Sequence, residues 1–363
     1  MRKRKNKWFC NTDAYHDVVL SGSICLARNL SSYNFPSKLS EEEAEKVVDL
    51  MRGFTCELGA RENRDYYSCR VDRLSNIDRD CLVETHTITP AMRRKKQPTG
   101  LIISDDESVS IMVNEDDHIR IKSTVPGYDI KNAYKEAVKL DDFFDSELSY
   151  CYSEKYGYLT SRTQETGTGM KASYMLSLPA ITLSGKIDSL QEEMSRFDVE
   201  LKGMYGEGSK SAGFIFTVTN RKTLGLSEQE IIDNLDRITG QIIDIEHKMR
   251  NEMLKTVGGE VTDKVYRSYG VLKYAKSMTQ KDAMLLLANV KLGCDCGIIK
   301  LKGGGGAVHR LMIEMQPGNL QQSSRKILDD SKRDELRARY LNEHIPDFEP
   351  ETIKDVSEEN EEK

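Results

Sequence analysis

The segment from Asn114 to Arg120, NEDDHIR, concentrates groups that could do chemistry. It holds three consecutive acids, then an imidazole and a guanidinium. Clustered carboxylates repel one another unless a cation, a metal ion or a cationic substrate compensates their charge. A β-branched apolar run, Ser108 to Val113, precedes the segment and predicts that the charges lie at a strand end or in the following turn. The pattern fits either a solvated acidic turn or a site for a cationic group.

Two further segments combine glycines with cationic and hydroxyl side chains. Residues 202–210 read KGMYGEGSK, with Glu207 between two glycines. Residues 157–173 read GYLTSRTQETGTGMKAS and contain Lys171 near their end. Glycines allow backbone N–H groups to approach a ligand closely. Ordinary turns have the same composition, so each loop alone is a weak signal.

Together these segments resemble the ATP:guanido phosphotransferase (phosphagen kinase) family, and most closely its bacterial protein arginine kinases. The family motif NEEDHIR corresponds to NEDDHIR at 114–120, and RGLYGEGS corresponds to KGMYGEGS at 202–209. LTSCPTNxGTGxRAS corresponds to LTSRTQETGTGMKAS at 159–173, and LSSRIRLARN corresponds to LSGSICLARN at 20–29. Four motifs in the same order over most of the chain make the resemblance specific.

The resemblance implies an enzyme that moves the γ-phosphoryl group of ATP, with Mg²⁺, to arginine side chains of protein substrates. In the family two acids hold the acceptor guanidinium and accept its proton, and they correspond to Asp116 and Glu207. Asp116 is one methylene shorter than the family's glutamate, and the positioning of reactants is sensitive to such a shift. The family's nucleotide and phosphate contacts correspond to seven positions: His86, Arg120, Lys171, Lys202, Ser21, Ser23 and Cys25.

Several of these positions depart from the family pattern. Ser23 and Cys25 stand where the family has arginines, and Lys171 and Lys202 keep the positive charge without the bidentate guanidinium. Arg162 replaces the family's reactive cysteine, and it could restore positive charge or occupy the acceptor pocket. Two functions therefore stay open. One is a protein arginine kinase with an eroded active site, and the other is a weak or inactive pseudokinase that binds phosphoarginine and regulates a paralogue or the Clp degradation system.

A third function, a kinase of small guanidino compounds, is disfavoured because the C-terminal part matches the protein-kinase branch. There Arg333 to Ala338 read RDELRA and fit the family's RDxxRA motif. A spacing of four puts Arg333 and Arg337 on one helical face, where they could clamp a phosphate while Asp334 orients a guanidinium. Alone, the pattern is typical of a solvated helix face, whereas the resemblance favours phosphoarginine sensing. The resemblance also implies a homodimer, a zinc-binding activator protein and a Clp unfoldase as partners.

The wider pattern of strands and helices predicts an α+β fold, and the resemblance implies an antiparallel sheet flanked by helices, followed by an all-helical C-terminal domain. A serine or threonine followed three residues later by an acid predicts helix starts at Ser40, Ser227 and Thr279. We expect sheet over 81–121, a flexible loop over 303–306 and a break after Gly259. The predicted domains are a catalytic domain at 1–255, a dimerisation and phosphoarginine-sensing domain at 256–346, and an acidic disordered tail at 347–363.

Composition limits the function classes. The 363 residues are 38% hydrophobic and 31% charged, typical of a chain with a real core, and no apolar run of about 18 residues predicts a membrane helix. The net charge of −6 equals that of residues 347–363 alone, so the near-neutral remainder argues against direct nucleic-acid binding. Eight cysteines without a secretory signal predict a reduced, cytoplasmic setting. Cys294 and Cys296 are too close in sequence for a zinc knuckle, so no metal site is expected.

Overall fold

The computed structural model describes residues 7–10, 16–204, 211–324 and 327–349. The chain divides into two compact units. The first comprises Met1–Leu176, Asp188–Lys202 and Phe216–Ile243, and the second comprises Ser177–Ile187, Gly203–Ile215 and Asp244–Lys363. The units interleave along the chain, whereas the predicted domains are contiguous segments, and those domain limits remain a prediction.

An eight-stranded sheet forms the centre of the fold, in the order β2-β3-β4-β5-β1-β8-β10-β9, and β6 pairs with β7 in a separate hairpin. The pairings of β1 with β5 and β8, of β2 with β3, and of β4 with β3 and β5 are antiparallel. The predicted α+β class with an antiparallel sheet is confirmed. The strands are β1 Val19–Arg28, β2 Tyr66–Arg70, β3 Gly100–Ser104, β4 Val109–Val113, β5 Ile119–Pro126, β6 Tyr152–Ser153, β7 Gly157–Tyr158, β8 Met170–Ser177, β9 Val199–Gly203 and β10 Ile215–Asn220.

Helices flank this sheet and make up the C-terminal part of the described chain. The helices are α1 Glu41–Gly53, α2 Thr55–Glu62, α3 Asn76–Glu84, α4 Pro90–Arg94, α5 Ile130–Glu147, α6 Pro179–Leu183, α7 Ile187–Ser195, α8 Glu228–Tyr274, α9 Gln280–Asp295, α10 Gly304–Glu314, α11 Pro317–Ser323 and α12 Asp330–His344. Within the described ranges, no helix combines the length and apolar character needed to cross a membrane.

The three predicted helix starts are confirmed by their hydrogen bonds. The Ser40 hydroxyl accepts from the backbone N–H three residues later, and the glutamate there accepts from the Ser40 N–H. The same reciprocal pair occurs at Ser227, and the Thr279 hydroxyl accepts from the N–H three residues later. Each cap satisfies N–H groups that the first helical turn leaves without an intrahelical acceptor.

Two local predictions are wrong, and a third is displaced along the chain. Residues 81–121 include part of α3 and all of α4, which begin at hydroxyl caps on Ser75 and Thr89. Their apolar side chains share a core cluster with those of β3 and β4, and short apolar runs of this kind resemble the pattern of strands. Gly303 and Gly304 of the predicted glycine loop have positive φ angles (79° and 54°), and α10 begins at Gly304. Helix α8 is interrupted by a kink at Val257 (φ −131°), so a break is present but lies just before the two glycines and not after Gly259.

The two faces of β1 have different roles because side chains alternate along a strand. Gly22, Ile24 and Leu26 point toward α5, which packs on β1 and β5. A Cβ atom at Gly22 would lie 3.3 Å from the Ile130 Cα atom of α5, so the helix approaches this face closely. Ser23 and Cys25 therefore point to the opposite face of the sheet.

Arg28 ends β1 and anchors α5 through a buried ion pair. Its Nε and Nη2 atoms donate to Asp141 Oδ2 at 3.0 and 2.6 Å, and Nη1 donates to the Thr168 carbonyl. The guanidinium carbon also lies 3.6 Å from the centre of the Tyr158 ring. Because Arg28 is on β1 and Asp141 is on α5, this ion pair holds the sheet and the helix together.

The first residues of the predicted acidic tail are packed. Asp347 forms an ion pair with Lys273 at 2.9 Å, and the Phe348 ring lies 4.5 Å from that of Tyr269. Phe348 also forms a β-bridge with Leu301. Residues 347–349 therefore belong to the folded part, and the rest of the tail lies outside the described residues.

The Arg28–Asp141 pair leads to a stability prediction. Asp141→Ala should lower the free energy of unfolding by about 3–5 kcal/mol, because it leaves a buried guanidinium without its carboxylate. The matched control Asp142→Ala changes an exposed neighbour and should cost about 0.5 kcal/mol or less. The chain's single tryptophan, Trp8, is buried in the first unit, so its fluorescence can follow urea unfolding there. Equal losses in both variants would contradict a role for the ion pair.

Candidate active site

The acidic segment forms the turn between β4 and β5, as predicted. Asn114 takes a left-handed conformation (φ 57°) and donates its backbone N–H to the His118 carbonyl at 3.0 Å. Its side-chain amide donates to the carbonyls of Ala44 and Pro98 at 2.9 and 3.1 Å. Asparagine tolerates this conformation better than most residues, so it both closes the turn and fixes it to the surrounding structure.

Asp117 and His118 point inward and are completely buried. Asp117 Oδ1 accepts from Asn29 Nδ2 and from the Ser161 backbone N–H, both at 2.7 Å. His118 Nδ1 accepts from the Leu30 N–H at 3.1 Å. Burial lowers the pKa of His118 to about 4, so the ring is neutral and its proton lies on Nε2. The pair ties the acidic turn to the end of β1 and to the loop after β7.

The buried Arg120 guanidinium compensates the negative charge of the acids around it. Its Nη2 donates to Glu165 Oε2 at 2.7 Å, and its Nη1 lies 3.5 Å from Glu115 Oε2 and 3.4 Å from Asp117 Oδ2. The Arg120 side chain is only 6% exposed. The predicted phosphate contact therefore has carboxylate partners of its own on several sides.

Asp116 is the acid of the turn that reaches outward, with 25% of its side chain exposed. Its Oδ2 atom lies 2.5 Å from Nη2 of Arg162, whose side chain is 48% exposed. The Ser161 hydroxyl donates to the Asp116 carbonyl at 2.6 Å. The predicted acceptor-binding carboxylate thus already holds a guanidinium, and that guanidinium comes from the position of the family's cysteine.

Among the odd-numbered positions of β1, Cys25 lines up with a cation on each neighbouring strand. Cys25 is in register with Lys122 on β5 and with Lys171 on β8. Two positions earlier, the hydroxyl of Ser23 lies 2.9 Å from the hydroxyl of Ser173. Ser21, further along the same face, is buried beside Pro126 and Met175. Lys122 and Lys171 therefore supply positive charge beside Cys25, one of the two positions where the resemblance implies arginine.

A cleft of about 610 Å³ in the first unit brings Arg162, Lys171 and Lys202 together. Lys202 Nζ lies 2.9 Å from Glu200 Oε1 within it. Cationic side chains outnumber acidic ones in the lining, which favours an anionic ligand. The lining residues are Arg162, Gln164, Glu165, Met170, Lys171, Asp198, Glu200, Lys202, Asn220, Arg221, Lys222 and Thr223.

His86 is connected to this region through Lys122, whose Nζ donates to the His86 carbonyl at 2.6 Å. His86 has a left-handed backbone (φ 59°). Desolvation, with the nearby Lys122 ammonium, lowers the pKa of His86 to about 3, so its ring is neutral near pH 7. Glu207 lies outside the described residues, between Met204 and Ser211.

The RDxxRA segment lies on α12, in the second unit. Arg337 is 2% exposed and donates from Nη1 to the Met278 carbonyl at 2.9 Å and to Asp334 Oδ1 at 2.5 Å. Its Nε donates to the Met315 carbonyl at 3.2 Å. Arg333 is more exposed, at 31% of its side chain, and pairs with Asp330. Arg333 and Arg337 thus differ in exposure, because Arg337 ties α12 to the start of α9 and the end of α10.

Sequence reasoning missed two parts of the site. Glu165 was not predicted as the partner of Arg120, because nothing in the loop sequence shows which acid turns inward. Lys122 could have been found, since it lies two residues after Arg120 on a strand and must share its face.

Comparison with known proteins identifies the family. Residues 46–249 match "ATP:guanido phosphotransferase, C-terminal catalytic domain", and residues 259–356 match "Protein-arginine kinase McsB C-terminal domain". The protein-arginine kinase of Halothermothrix orenii is 36% identical over 94% of this chain and 97% of its own. That of Caldanaerobacter subterraneus subsp. tengcongensis is 37% identical over 91% of this chain and 97% of its own.

Solved structures agree on the fold. The duplicated taurocyamine kinase from Schistosoma mansoni superposes with a TM-score of 0.58 at 21% identity, over 68% of this chain and 37% of that one. Lombricine kinase superposes with a TM-score of 0.57 at 17% identity, over 67% of this chain and 71% of that one. By its sequence matches over nearly the whole length, this chain belongs to the ATP:guanido phosphotransferase family, in its protein-arginine kinase branch.

Proposed function

We propose that this chain transfers the γ-phosphoryl group of ATP to arginine side chains of proteins. The observation that carries the proposal is the Asp116 carboxylate, which binds a guanidinium at 2.5 Å. Arg162, which supplies that guanidinium, also lines the cationic cleft with Lys171 and Lys202. A guanidinium-binding carboxylate beside a site for polyphosphate is the arrangement that phosphoryl transfer to arginine requires.

In this proposal the cleft binds the nucleotide. Lys171 and Lys202 neutralise phosphate oxygens as point charges, with Lys122 and Cys25 beside them in place of a fork of guanidinium groups. Magnesium bound to ATP would lower the negative charge of the phosphates that Lys171 and Lys202 contact. The neutral ring of His86 contributes a polar contact without adding charge. Electrostatic stabilisation of the transferring phosphoryl group is the main contribution of the protein.

The acceptor arginine is held by Asp116, with Glu207 as the second acid. A bond forms between a guanidinium nitrogen and the γ-phosphorus as the bond from that phosphorus to the β–γ bridging oxygen breaks, and ADP leaves. The guanidinium proton passes to a carboxylate. Two carboxylates serve better than one because one orients the planar group while the other accepts the proton.

A second candidate is a pseudokinase that binds phosphoarginine, and the occupied site favours it. Arg120 is already bound by Glu165, Asp116 is bound by Arg162, and serine and cysteine replace two family arginines on β1. Losing one donor to a transition state commonly costs about two or three decades of rate. The two candidates differ in turnover and share the C-terminal phosphoarginine site.

For the C-terminal phosphoarginine site on α12, we propose Arg333 and Asp334 as the accessible contacts. The buried Arg337 holds that helix in place. On the family's pattern we also propose protein substrates with exposed arginines, a homodimer, a zinc-binding activator protein and a Clp unfoldase as partners, in the cytoplasm.

The nucleotide site can be tested without catalysis. Calorimetric titration with ADP and magnesium should give measurable heat below millimolar nucleotide. Lys171→Ala should weaken binding about tenfold or more, because it removes a charge-assisted phosphate contact. Lys155→Ala, an exposed lysine outside the cleft, serves as the matched control. No heat from the unmodified chain, or an equal affinity in Lys171→Ala, would exclude the cleft as the nucleotide site.

Turnover separates the two candidate functions. The chain is incubated with ATP, magnesium and an arginine-rich protein, and acid-labile phosphoarginine is measured. Glu207→Gln should abolish the signal because an amide cannot accept the guanidinium proton, whereas the surface variant Glu192→Gln should retain it.

Restoring the family residues with Ser23→Arg, Cys25→Arg and Arg162→Cys should raise turnover. Activity only in the restored variant would favour the pseudokinase, and full activity in Glu207→Gln would remove Glu207 as the base.

The C-terminal site gives a separate prediction. Arg333→Ala should weaken the binding of free phosphoarginine about tenfold or more, because it removes a charged phosphate donor. Arg267→Ala, an exposed arginine of α8, is the control. Arg337→Ala should instead lower the unfolding midpoint, since it leaves the carbonyls of Met278 and Met315 without their donor. Equal phosphoarginine affinity in Arg333→Ala and the control would leave this helix with a structural role only.

A further inference from the structure

The loop after β7 holds Arg162 against the acidic turn. The Ser161 backbone N–H donates to Asp117 and the Ser161 hydroxyl donates to the Asp116 carbonyl. The Arg162 carbonyl accepts from the Thr160 hydroxyl at 2.7 Å and from the Glu165 N–H at 2.9 Å. Backbone contacts on both sides of Arg162 therefore fix the loop, and its side chain reaches Asp116.

The charge around Asp116 makes a guanidinium there more than an ordinary surface ion pair. Asp116 lies between two buried acids, Glu115 and Asp117, and the nearest Arg120 nitrogen is 3.9 Å from its Oδ2. Adjacent carboxylates raise the negative potential at Asp116 Oδ2, an atom shielded from solvent with Arg162 beside it, so a second cation is favoured there. Arg162 meets this need, and its other terminal nitrogen lies 3.9 Å from Glu165 Oε1.

We propose that Arg162 is a built-in competitor for the acceptor guanidinium site and thereby determines which arginines the protein accepts. The proposal rests on the proposed function, in which Asp116 receives the acceptor. An arginine bound to the same Asp116 oxygen must displace Arg162, whose side chain is half exposed and has room to leave. A group tethered by a short segment competes at an effective concentration in the millimolar range.

This competition selects against free arginine and small guanidines, which offer only the one contact. An arginine on a protein can displace Arg162 when neighbouring residues of the substrate add contacts of their own. Arg162 is therefore a specificity-determining residue that acts through the binding of the acceptor guanidinium.

The test uses methylguanidine as the probe and omits nucleotide, so an inactive kinase domain leaves the outcome unaffected. Methylguanidine is titrated by calorimetry into the full chain and into Arg162→Ala, Arg162→Ala/Asp116→Asn and Arg196→Ala. Arg196 is an exposed arginine just after α7 and serves as the matched control. Thermal unfolding checks each variant, and Arg162→Gln replaces Arg162→Ala if alanine prevents folding.

We expect Arg162→Ala to bind methylguanidine at least about tenfold more tightly than the unmodified protein does, because the competing side chain is gone. Adding Asp116→Asn should abolish that gain, and Arg196→Ala should behave as the full chain does. Equal affinity in the full chain and Arg162→Ala overturns the proposal, as does an absence of binding in both. A gain that persists without the Asp116 carboxylate also overturns it, because the vacated site would then lie elsewhere.

Discussion

Three adjacent carboxylates in one tight turn must be compensated, and much of the first unit is arranged to do so. The turn sends two acids inward and one outward. The inward pair is neutralised by Arg120 and by hydrogen bonds from Thr89, Asn29 and the Ser161 backbone. These partners come from distant parts of the chain, so satisfying the acids draws the end of β1, the loop before α4 and the loop after β7 to one place. The outward acid, Asp116, can bind a guanidinium, and this ability is the basis of the chemistry proposed for the turn.

The antiparallel register of β1 with β5 and β8 provides the other half of the arrangement. Alternation separates the positions that pack on α5 from those that face the opposite side, and it places Cys25 level with two lysines. Where the resemblance implies arginines on β1, the chain has Ser23 and Cys25, and the positive charge on this face comes from lysines of the neighbouring strands. Lysine ammonium groups hold phosphate without fixing its orientation as firmly as a guanidinium fork, so the chain keeps charge and gives up geometric control.

The features that could be predicted from sequence are those set by local rules. The caps at Ser40, Ser227 and Thr279 depend on two residues three apart, and the acidic turn depends on an apolar strand pattern on its N-terminal side. Helices α3 and α4 are not predicted because their short apolar faces have no clear period, although Ser75 and Thr89 cap them. The burial of Arg337 was missed for a different reason: spacing shows which helix face a residue shares, and only tertiary packing shows whether that face is covered. Glu165 and Arg162 join the site across loops, where the sequence carries no periodic signal.

The two site histidines have a consequence for how the protein responds to acidity. Burial holds the pKa of His118 at about 4, and desolvation with Lys122 holds that of His86 at about 3, whereas an unfolded histidine titrates near 6.5. Neither ring changes charge between pH 5 and 8 in the folded chain. Because the unfolded chain takes up these protons first, the contribution of both rings to stability is complete above about pH 6.5 and declines as the pH falls toward 3. Mild acidification thus acts on the balance between folded and unfolded chains and leaves the protonation of these two rings in the folded site unchanged.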